Sequence, residues 1–540
     1  MYLAPLTIAA FLLLHRYAAA ADGATAGNEA ATGFPPCDAL IRAGLGSRLL
    51  LATDAEYEPR IASWWSLDTR QRPWCLVQPR DAAEVSTIMT ALLGAGAGDG
   101  AGDWHIAVRA GGHGPRHSNN IDNGVTIDLG MLNQATYDKR TNLASIGPGG
   151  RWKDVLAELL KYGVVVPSGR DGDVGVGGFL LGGGSSYYMG REAFACDSVR
   201  NFEVVLTNGT IVNANREENV DLWRALKGGG SNFGIVTRFD MEALPAKDIA
   251  YGTRFMSVEY SSELVDAIVH FTDHYEEFDT DALVAFLMHN TSALPMDVVA
   301  AAIHVNTEGI HNSTGFKKLN QIPSLIPDET RSLSLADAAE DSQLSSGTWS
   351  VTRFHYKKFR TIANTRPPLA IYRNFGATLT FKNDKRILAH AVKLNEKYVK
   401  DMNHAIGPDN FVSLVFFQPE PSFFGDISKQ RGGNMLGVDS QEHNAVLWTG
   451  GVAVKSDKQA LAIARTRMSA MVAELKEFSI SLCGDNRLIY MNYADPSQDP
   501  LGSYGKENVD HIRRVAAKYD PLGVFQRRFP GGFKISRVDL

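Results

Sequence analysis

The chain has 540 residues, of which 44% are hydrophobic and 21% are charged, and its formal net charge at pH 7 is −6. This length exceeds what one hydrophobic core organises, so we expect at least two domains. The composition is typical of a soluble globular protein, and the slight negative charge argues against nucleic acid or an anionic membrane as a partner. The 51 glycines occur in clusters, which indicates turns that serve a ligand.

The first 21 residues have the features of a secretory signal peptide. Residues 6–14 are a short apolar run, and four alanines at 18–21 form the small-residue stretch expected before a cleavage site. The run is too short to span a bilayer, and no later run of about 18 apolar residues follows it. Because the segment lacks an early Lys or Arg, a buried N-terminal helix is the alternative. We expect a secreted protein.

Four cysteines fit an oxidising compartment without indicating a disulfide-dense scaffold. Cys37 and Cys75 flank the first folded segment and are the favoured pair. Cys196 and Cys483 lie in more apolar settings and are expected to be free, buried thiols. In a secreted chain, three sequons are candidate glycosylation sites, at Asn208, Asn290 and Asn312. For the first of these, a tight Asn-Gly turn is an equal alternative.

Short strands and helices alternate in the first part of the chain. Residues 74–77 predict a strand, and the helix after it carries apolar side chains on one face, at positions 85, 88, 89, 92 and 93. Residues 94–102 predict a surface loop. The next predicted elements are strands at 105–108, 125–129 and 144–146, a helix over 152–160, and a hairpin of 202–206 with 211–212.

From about residue 246 the pattern changes to long strands separated by amphipathic helices. The strands are predicted at 251–260, 283–288, 298–305 and 411–418, and the helices at 263–275, 387–398 and 460–478. This order predicts a mainly antiparallel sheet backed by helices, so the fold class is α+β. We place the first domain at 22–245, the second at 246–484, and a turn-rich segment that returns to the first domain at 485–540.

His113 stands in a glycine-rich turn directly after a predicted strand. The turn has the sequence Arg109-Ala110-Gly111-Gly112-His113-Gly114. Paired glycines let the backbone approach a large flat or phosphorylated ligand, since glycine has no Cβ and tolerates positive φ. An imidazole presented there is a candidate nucleophile toward that ligand. A histidine that only packs or forms hydrogen bonds is the alternative.

A second set of glycines lies between residues 168 and 184. Successive glycines present backbone N–H groups in a concave array, which suits a pyrophosphate. The strand-then-helix context of a Rossmann motif is missing and no P-loop lysine follows, so we expect a dinucleotide held by a different fold. A flexible surface loop is the alternative. The candidate residues are Ser168, Gly169, Val174, Gly175, Gly177, Gly178, Gly182, Gly183 and Gly184.

Two later segments, at 490–495 and 234–236, carry further candidate site residues. An extended conformation over 490–495 would put Met491 and Tyr493 on one face and Asn492 on the other. A tyrosine serves as a base only where positive charge or hydrogen-bond donors lower its pKa from about 10, so a core tyrosine is the alternative. Before it, a third glycine-rich turn has an apolar end expected to lie against a ring system, at Gly234, Ile235 and Val236.

Five motifs occur in the order that characterises a known family. They are Arg-Ala-Gly-Gly-His at 109–113, the glycine loops at 168–184, Lys-Gly-Gly-Gly-Ser-Asn-Phe-Gly-Ile-Val-Thr at 227–237, Asn-Tyr-Ala-Asp at 492–495, and a tail with Tyr-Gly-Lys-Glu-Asn at 504–508. Over nearly all of the mature chain the sequence resembles a fungal member of the berberine bridge enzyme-like, FAD-linked oxidoreductases. The resemblance implies a two-part FAD-binding domain of the PCMH type, as in vanillyl-alcohol oxidase, and a substrate domain.

The resemblance also implies roles for single residues. His113 matches the histidine that bonds covalently to the 8α-methyl of the isoalloxazine and raises its reduction potential. Tyr493 matches the catalytic base of many members, and Cys37 and Cys75 match a disulfide common in secreted fungal members. Besides the glycine loops, the implied cofactor contacts are Arg109, Gly111, Gly112, Gly114, Gly234, Ile235, Val236 and Asn492.

The chain departs from the family pattern in the second glycine segment. Asp171 stands where many members carry a cysteine that forms a second bond to the flavin, so we expect FAD attached through His113 alone. Phe179 stands where a histidine is common. Val174 matches a small aliphatic residue that leaves oxygen access to the flavin in related oxidases, which favours an oxidase over a dehydrogenase.

The expected reaction is oxidation of an alcohol-like or secondary-metabolite substrate. Tyr493 takes a proton while a hydride passes to flavin N5, and O2 then accepts the electrons and becomes H2O2. Gln418, at the end of an apolar predicted strand, is a candidate substrate-orienting residue. A solvent-facing strand end is an equal alternative for it.

Two other functions stay open. A carbohydrate oxidase would have an open, aromatic-lined groove in its second domain. A flavin-carrying protein without turnover would be reduced by no alcohol, sugar or phenol, and the presence of Tyr493 beside Asn492 argues against it. No zinc-type Cys/His spacing occurs, so we expect no metal. No nucleophile elbow occurs either. The expected partners are a small-molecule substrate and O2, with substrate and oligomeric state open.

Overall fold

The structure is a computed structural model that describes residues 31–95, 103–291, 297–342, 372–455 and 457–538. Three main sheets and the helices around them make up the described part of the chain, which confirms the predicted α+β class. The predicted signal peptide and most of the predicted loop at 94–102 lie outside the described residues.

The helices follow the predicted order. The three long ones that the sequence predicts in the second half are α8, α11 and α13. The α-helices are α1 Pro35–Leu40, α2 Tyr57–Ala62, α3 Ala82–Ala95, α4 Trp152–Leu160, α5 Val176–Leu181, α6 Met189–Glu192, α7 Val220–Leu226, α8 Ser261–Asp273, α9 Lys317–Asn320, α10 Leu335–Asp341, α11 Lys385–Ile406, α12 Phe423–Gln430, α13 Lys458–Ser481, α14 Pro500–Ser503, α15 Lys506–Tyr519 and α16 Val524–Arg527.

The first sheet contains the strand that leads to His113. Its order is β1-β2-β4-β3, with β1 Leu49–Leu51, β2 Cys75–Val77, β3 His105–Arg109 and β4 Gly124–Asp128. Strands β2, β4 and β3 run parallel, and every residue of β4 is buried, as expected inside a parallel sheet. Helix α3 packs its predicted apolar face into the same core.

The second sheet has five antiparallel strands in the order β5-β6-β10-β8-β9. Strands β8 and β9 form the predicted hairpin, and the turn between them holds Gly209 at φ +81°. A separate two-stranded ladder pairs β7 with β11. The strands are β5 Ala135–Asp138, β6 Leu143–Ile146, β7 Val164–Val165, β8 Val199–Val205, β9 Ile211–Asn215, β10 Ile235–Glu242 and β11 Leu244–Pro245.

The third sheet has eight antiparallel strands in the order β15-β12-β14-β13-β17-β18-β16-β19. Helices α8, α11 and α13 share a core with it. The strands are β12 Ile249–Ser257, β13 Asp281–His289, β14 Val299–Asn306, β15 Arg331–Leu333, β16 Tyr372–Lys382, β17 Phe411–Glu420, β18 Ala445–Lys455 and β19 Asp485–Asn486.

Side chains of β17 alternate between the two faces of this sheet. Val415 and Phe417 belong to the core that the helices share. Because successive strand residues point to opposite faces, Gln418 and Glu420 lie on the other face. That face meets the second glycine segment, since Arg170 contacts Gln418 there.

Four features differ from the sequence predictions or extend them. Strands β16 and β18 were not expected, because glycines within them weaken the strand pattern, but they pair along their full lengths. An extended conformation over 490–495 is wrong, since residues 491–493 form a 3-10 turn, in which Tyr493 is only half-buried and the adjacent Tyr490 is buried. Cys196 is buried, but Cys483 is exposed beyond the end of α13. Helix α3 takes up the start of the predicted loop.

Covalent and polar contacts attach both ends of the described chain to the first two sheets. The predicted disulfide between Cys37 and Cys75 is confirmed and joins α1 to β2. Near the C-terminus, Lys534 donates from Nζ to the carbonyl of Ser231 at 2.8 Å. The side-chain amide of Asn232 donates to the Phe533 carbonyl at 3.1 Å. None of the helices in the described ranges is long and apolar enough to cross a membrane.

Candidate active site

His113 is presented at the end of the turn that follows β3. Its ring stacks on Trp65 with 4.8 Å between ring centroids. Its Nδ1 atom is buried and has no hydrogen-bond partner among the described residues. Burial, and then the positive charge of Arg151, lower the pKa of His113 to about 3. The imidazole is therefore neutral near pH 7, the form in which a ring nitrogen acts as a nucleophile.

The glycines around His113 allow two backbone segments to touch. A Cβ atom on Gly111 would lie 2.5 Å from the Cα of Gly175, which belongs to the second glycine segment. Gly112 has φ +70°, and a Cβ there would lie 2.9 Å from Nε of Arg109. A Cβ on Gly114 would lie 2.4 Å from a serine hydroxyl, that of Ser118. The close approach predicted for these glycines is thus, first of all, the approach of the His113 turn to other segments of the same protein.

Arg109 lies beneath this turn with its guanidinium fully buried. The guanidinium carbon sits 3.6 Å from the ring centroid of Trp64, and an N–H donates to the hydroxyl of Ser63 at 2.7 Å. Asp128, at 3.7 Å, supplies the opposite charge. All of these contacts are with protein, so the Arg109 side chain supports the turn from behind.

Most glycines of the second segment pack against protein atoms. Gly169 approaches the ring of Trp152, and Gly177 approaches the methyl group of Ala110. Gly182, Gly183 and Gly184 lie against the C-terminal turn, Leu436 or Phe179, and the last two have positive φ. Ser168 is buried, and the Val174 carbonyl accepts a hydrogen bond from the N–H of Trp152 at 3.1 Å.

Gly178 differs from its neighbours. It is exposed, and a Cβ placed on it would meet no atom within 4 Å. Protein packing therefore does not explain a glycine at this position, which is inside helix α5, where alanine is preferred. The open space beside Gly178 leaves room for a bound ligand.

The third glycine turn is mainly structural. A Cβ on Gly234 would lie 2.5 Å from a methyl group of Val204. Ile235 packs in the core of the first sheet, whereas Val236 packs in the core shared by the second and third sheets. These residues join the sheets, and their described contacts are within the protein.

Arg170 brings together the two predicted catalytic residues. It donates to the hydroxyl of Tyr493 at 2.9 Å and to Oε1 of Gln418. Burial lowers the pKa of Arg170, but the neighbouring tyrosines, Tyr493 foremost, raise it by more than burial lowers it. The pKa of Arg170 is therefore raised overall. A charged guanidinium thus lies against a phenol hydroxyl and a carboxamide. Arg170 was not among the predicted site residues, although it is a lone arginine in a glycine-rich segment.

Asn492 attaches the C-terminal turn to the second glycine segment. Its side-chain amide donates to the Phe179 carbonyl at 2.9 Å and to the hydroxyl of Tyr490 at 3.2 Å. The same hydroxyl accepts from the backbone N–H of Gly184 at 2.9 Å. Tyr493 therefore stands at the end of a turn whose position is set by the segment that also touches Gly111.

Asn374, on β16, is a second polar residue that the sequence did not indicate. It is 6% exposed, and neither polar atom of its side-chain amide has a hydrogen-bond partner within the described ranges. Its backbone N–H donates to the hydroxyl of Ser66 at 2.9 Å. Ser66 directly follows Trp65, the residue stacked on His113. A buried amide without partners in the described structure, near the stacked rings of Trp65 and His113, is available to a bound molecule.

The three sequons differ in exposure. Asn208 is exposed in the β8–β9 turn, where its side-chain oxygen accepts from the N–H of Thr210 at 3.0 Å. Asn312 is also exposed, whereas Asn290 is buried.

Sequence comparison finds relatives over most of the chain. A family model described as an FAD binding domain matches residues 73–215. The chain is 34% identical over 507 residues to the FAD-dependent monooxygenase drtC of Aspergillus calidoustus, and the match covers 93% of this chain and 91% of that protein.

Solved structures share the fold at low sequence identity. A carbohydrate oxidase from Microdochium nivale has a TM-score of 0.69 and 18% identity, with 94% of this chain and 100% of that chain covered. The glucooligosaccharide oxidase of Acremonium strictum, with its 6-S-cysteinyl, 8α-N1-histidyl FAD, has a TM-score of 0.66 and 18% identity, with coverages of 91% and 97%. At this identity the likeness shows the fold.

Proposed function

Because this chain belongs to the berberine bridge enzyme-like family of FAD-linked oxidoreductases, we propose that it oxidises an alcohol-like group of a secondary metabolite, with Tyr493 as the base and O2 as the electron acceptor. The observation that carries the proposal is the contact of the Arg170 guanidinium with both Tyr493 and Gln418. Bound FAD supplies the hydride acceptor. Gln418 and Arg170 are proposed to orient the substrate, and Tyr493 is proposed to take its proton.

The residues around His113 fit a flavin. The buried Nδ1 atom has no partner in the described structure, and the lowered pKa of the ring keeps it neutral. Gly178 borders open space in the segment proposed to hold the pyrophosphate. We propose that His113 bonds covalently to FAD and that the backbones of the first two glycine segments hold the rest of the cofactor. The third turn, with Asn492, shapes the site.

The proposed attachment is single. Asp171 occupies the position at which many family members carry a thioether-forming cysteine, and a carboxylate makes no such bond. One oxygen of the Asp171 carboxylate accepts the backbone N–H of Asp173 at 2.8 Å, so it has a role in the turn. The proposed single bond differs from the attachment in the glucooligosaccharide oxidase, which has both a cysteinyl and a histidyl bond.

Tyr493 is proposed to take the substrate hydroxyl proton. A guanidinium 2.9 Å from the phenol oxygen stabilises negative charge on that oxygen. Arg170 also donates to Oε1 of Gln418. This contact uses the oxygen of the side-chain amide, so the N–H groups on its nitrogen can donate to the substrate oxygen. Loss of the proton from the hydroxyl then accompanies loss of the hydride from the adjacent carbon, and a carbonyl product forms.

An anaerobic screen tests the proposal directly. The yellow protein is mixed without oxygen with alcohols, polyketide-like compounds and sugars, and bleaching of the flavin is recorded. Bleaching by an alcohol-bearing secondary metabolite is expected. Bleaching by sugars alone would assign a carbohydrate oxidase, and no bleaching by any compound would contradict catalytic oxidation.

A monooxygenase is the second candidate, because relatives such as drtC carry that name. The two reactions differ in the fate of oxygen. With ¹⁸O2, an oxidase forms labelled H2O2 and an unlabelled product, whereas a monooxygenase places one labelled atom in the product. Val174, at the position linked to oxygen access, supports reaction with O2 in both cases. We expect labelled H2O2, and label in the product would replace the oxidase proposal.

The covalent bond has its own test. After acid precipitation the yellow colour should stay in the pellet of the native protein, and His113→Ala should release it to the supernatant. His105→Ala, on the strand before the turn and partly exposed, is the matched control and should keep the colour in the pellet. Colour in the native supernatant would contradict the bond.

We propose that the protein is secreted and that its domains are 22–245, 246–484 and the returning segment 485–540. The Cys37–Cys75 disulfide supports an oxidising compartment. The exposed Asn208 and Asn312 are the sequons that an oligosaccharide reaches most easily. Mass spectrometry of the protein recovered from the medium and from the cells of a fungal host tests secretion and glycosylation, and an unprocessed, unglycosylated product found only in the cells would contradict secretion.

A further inference from the structure

Glu420 is a buried carboxyl group, and one of its two oxygens is unpaired in the described part of the chain. It is 2% exposed, and its Oε1 atom has no hydrogen-bond partner among the residues described. It lies two residues after Gln418 on β17, so both side chains are on the same face of the third sheet. That is the face which Arg170 contacts through Gln418.

Such a group is unfavourable in the free protein. A carboxyl group taken out of water without a hydrogen-bond or charged partner costs free energy, and buried polar atoms in native proteins are nearly always paired. Burial is the cause that raises the pKa of Glu420 to about 8. Near neutral pH the side chain is then a carboxylic acid that donates and accepts hydrogen bonds.

The surroundings of Glu420 place it near the candidate active site. Burial and Asp281 raise the pKa of Tyr275, Arg170 lowers it, and Glu420 raises it, so the Arg170 and Glu420 charges both act on this one phenol. The ring of Tyr275 packs against Phe423 and Phe424, with centroids 5.9 and 5.5 Å away. Glu420 thus lies two residues after Gln418 on β17, and helix α12, whose Phe423 and Phe424 pack on Tyr275, begins three residues after it.

We propose that Glu420 binds a hydrogen-bond donor of the substrate, either a protonated amine or a hydroxyl group. An ammonium group would receive the carboxylate as its counter-ion, and the displaced proton would leave to solvent. A hydroxyl would bind the carboxylic acid as it stands. The proposal rests on the proposed function only in taking this face of the sheet as the substrate side.

Binding of three small probes tests the proposal without turnover. Benzylamine, benzyl alcohol and toluene differ only in the donor group, and their dissociation constants are measured by calorimetry on the FAD-loaded protein. We expect benzylamine or benzyl alcohol to bind at least about tenfold more tightly than toluene. Glu420→Leu should abolish this preference, while Glu477→Gln, an exposed glutamate on α13, should keep it.

A preference for benzylamine would indicate an amine as the donor, and a preference for benzyl alcohol would indicate a hydroxyl. Either preference supports the proposal if it is lost in Glu420→Leu. Three probes that bind alike, or fail to bind, in the native protein would overturn it. So would a preference that survives in Glu420→Leu. Because no oxidation is measured, failure of the proposed oxidase activity leaves this result readable, and the reverse also holds.

Thermal stability gives a second, substrate-free test. If Glu420 is kept for a ligand, replacing it with leucine removes an unpaired buried group, and the melting temperature of the ligand-free protein should rise by about 2 °C. Glu477→Gln should leave it unchanged. A lower melting temperature in both Glu420→Leu and Glu420→Gln would show a structural carboxyl and overturn the proposal.

Discussion

The guanidinium of Arg170 connects side chains from distant parts of the chain. Tyr493 is 323 residues away in sequence and Gln418 is 248 residues away. Because one charged group contacts both the proposed base and the proposed orienting amide, a change at Arg170 alters both roles at once.

Replacing Arg170 with methionine should slow flavin reduction by on the order of 10²-fold, since a hydrogen-bond donor to developing negative charge is lost. Arg170→Lys keeps the charge without the planar fork and should restore part of the rate. The measurement is anaerobic flavin reduction by the compound found in the screen, at equal flavin content. Equal rates in the native and methionine proteins would remove Arg170 from the site.

The protonation of Glu420 makes stability depend on pH. Burial raises its pKa from the ordinary 4.5 to about 8, so the stability linked to its proton is complete below 4.5 and is lost as pH rises through about 8. Relative to Glu420→Gln, the free energy of unfolding of the substrate-free native protein should fall by up to about 1.4 kcal/mol per pH unit over this range. The native protein and Glu420→Gln share the neighbouring charged and titratable groups, Arg170, Tyr275 and Asp281, so the contributions of these groups largely cancel in the comparison.

Urea unfolding of the two proteins at several pH values from about 5 to about 9 gives this difference. A difference that does not change with pH would mean that Glu420 titrates as it does in the unfolded chain.

For single residues, the resemblance carried by motif order indicated His113 and Tyr493, and the end of an apolar predicted strand indicated Gln418 as a candidate. Arg170 and Asn374 could not be predicted in the same way. Their importance lies in contacts with residues far away in the chain, or in the lack of any partner, and neither property leaves a periodic pattern in the sequence.

Among the elements, the second glycine segment has two functions that its composition does not separate. Gly175 is required by the protein, since a Cβ there would lie 2.4 Å from the Cα of Gly111. Gly178 faces open space. A cluster of glycines therefore predicts that the backbone is closely approached. The structure is needed to tell which glycines are approached by other protein atoms and which have space beside them for a ligand.

This division predicts opposite effects of two alanine substitutions. Gly178→Ala should keep the stability of the apoprotein, or raise it by up to about 1 kcal/mol because alanine favours a helix, and should reduce bound FAD. Gly175→Ala should lower stability by about 1–3 kcal/mol through overpacking. Chemical unfolding and the flavin-to-protein absorbance ratio provide the readouts. Full flavin content in Gly178→Ala would contradict the proposed cofactor position.

Long periodic elements were predictable, and interrupted ones were not. Helix α4 has the predicted limits because its apolar spacing is regular. Strands β16 and β18 contain Gly376, Gly450 and Gly451, and they owe their conformation to pairing with each other and, in β18, with β17. The 3-10 turn before Ala494 is too short for alternation to separate it from a strand.

In the whole molecule, the candidate site depends on three regions that meet. The second glycine segment supplies Arg170, the third sheet supplies Gln418, and the C-terminal turn supplies Tyr493. The predicted α+β class and the Cys37–Cys75 disulfide were available from sequence and resemblance. The way in which the regions meet was not, because it follows from the packing of side chains between sheets.

The disulfide should contribute to the stability of this assembly. It closes a loop with a sequence separation of 38, and the double substitution Cys37→Ala/Cys75→Ala should lower the free energy of unfolding by about 3–4 kcal/mol. Cys483→Ala, at an exposed free thiol, is the control and should have little effect. Guanidinium unfolding of the three proteins measures the loss, and equal midpoints would contradict it.

Tyr493 is proposed to remove a substrate proton while bound FAD is reduced, and stopped-flow measurement of anaerobic flavin reduction in the native protein and in Tyr493→Phe tests this role. We expect the rate to be lower by about 10²- to 10⁴-fold in Tyr493→Phe, with FAD content unchanged. An unchanged rate at full FAD content would contradict it.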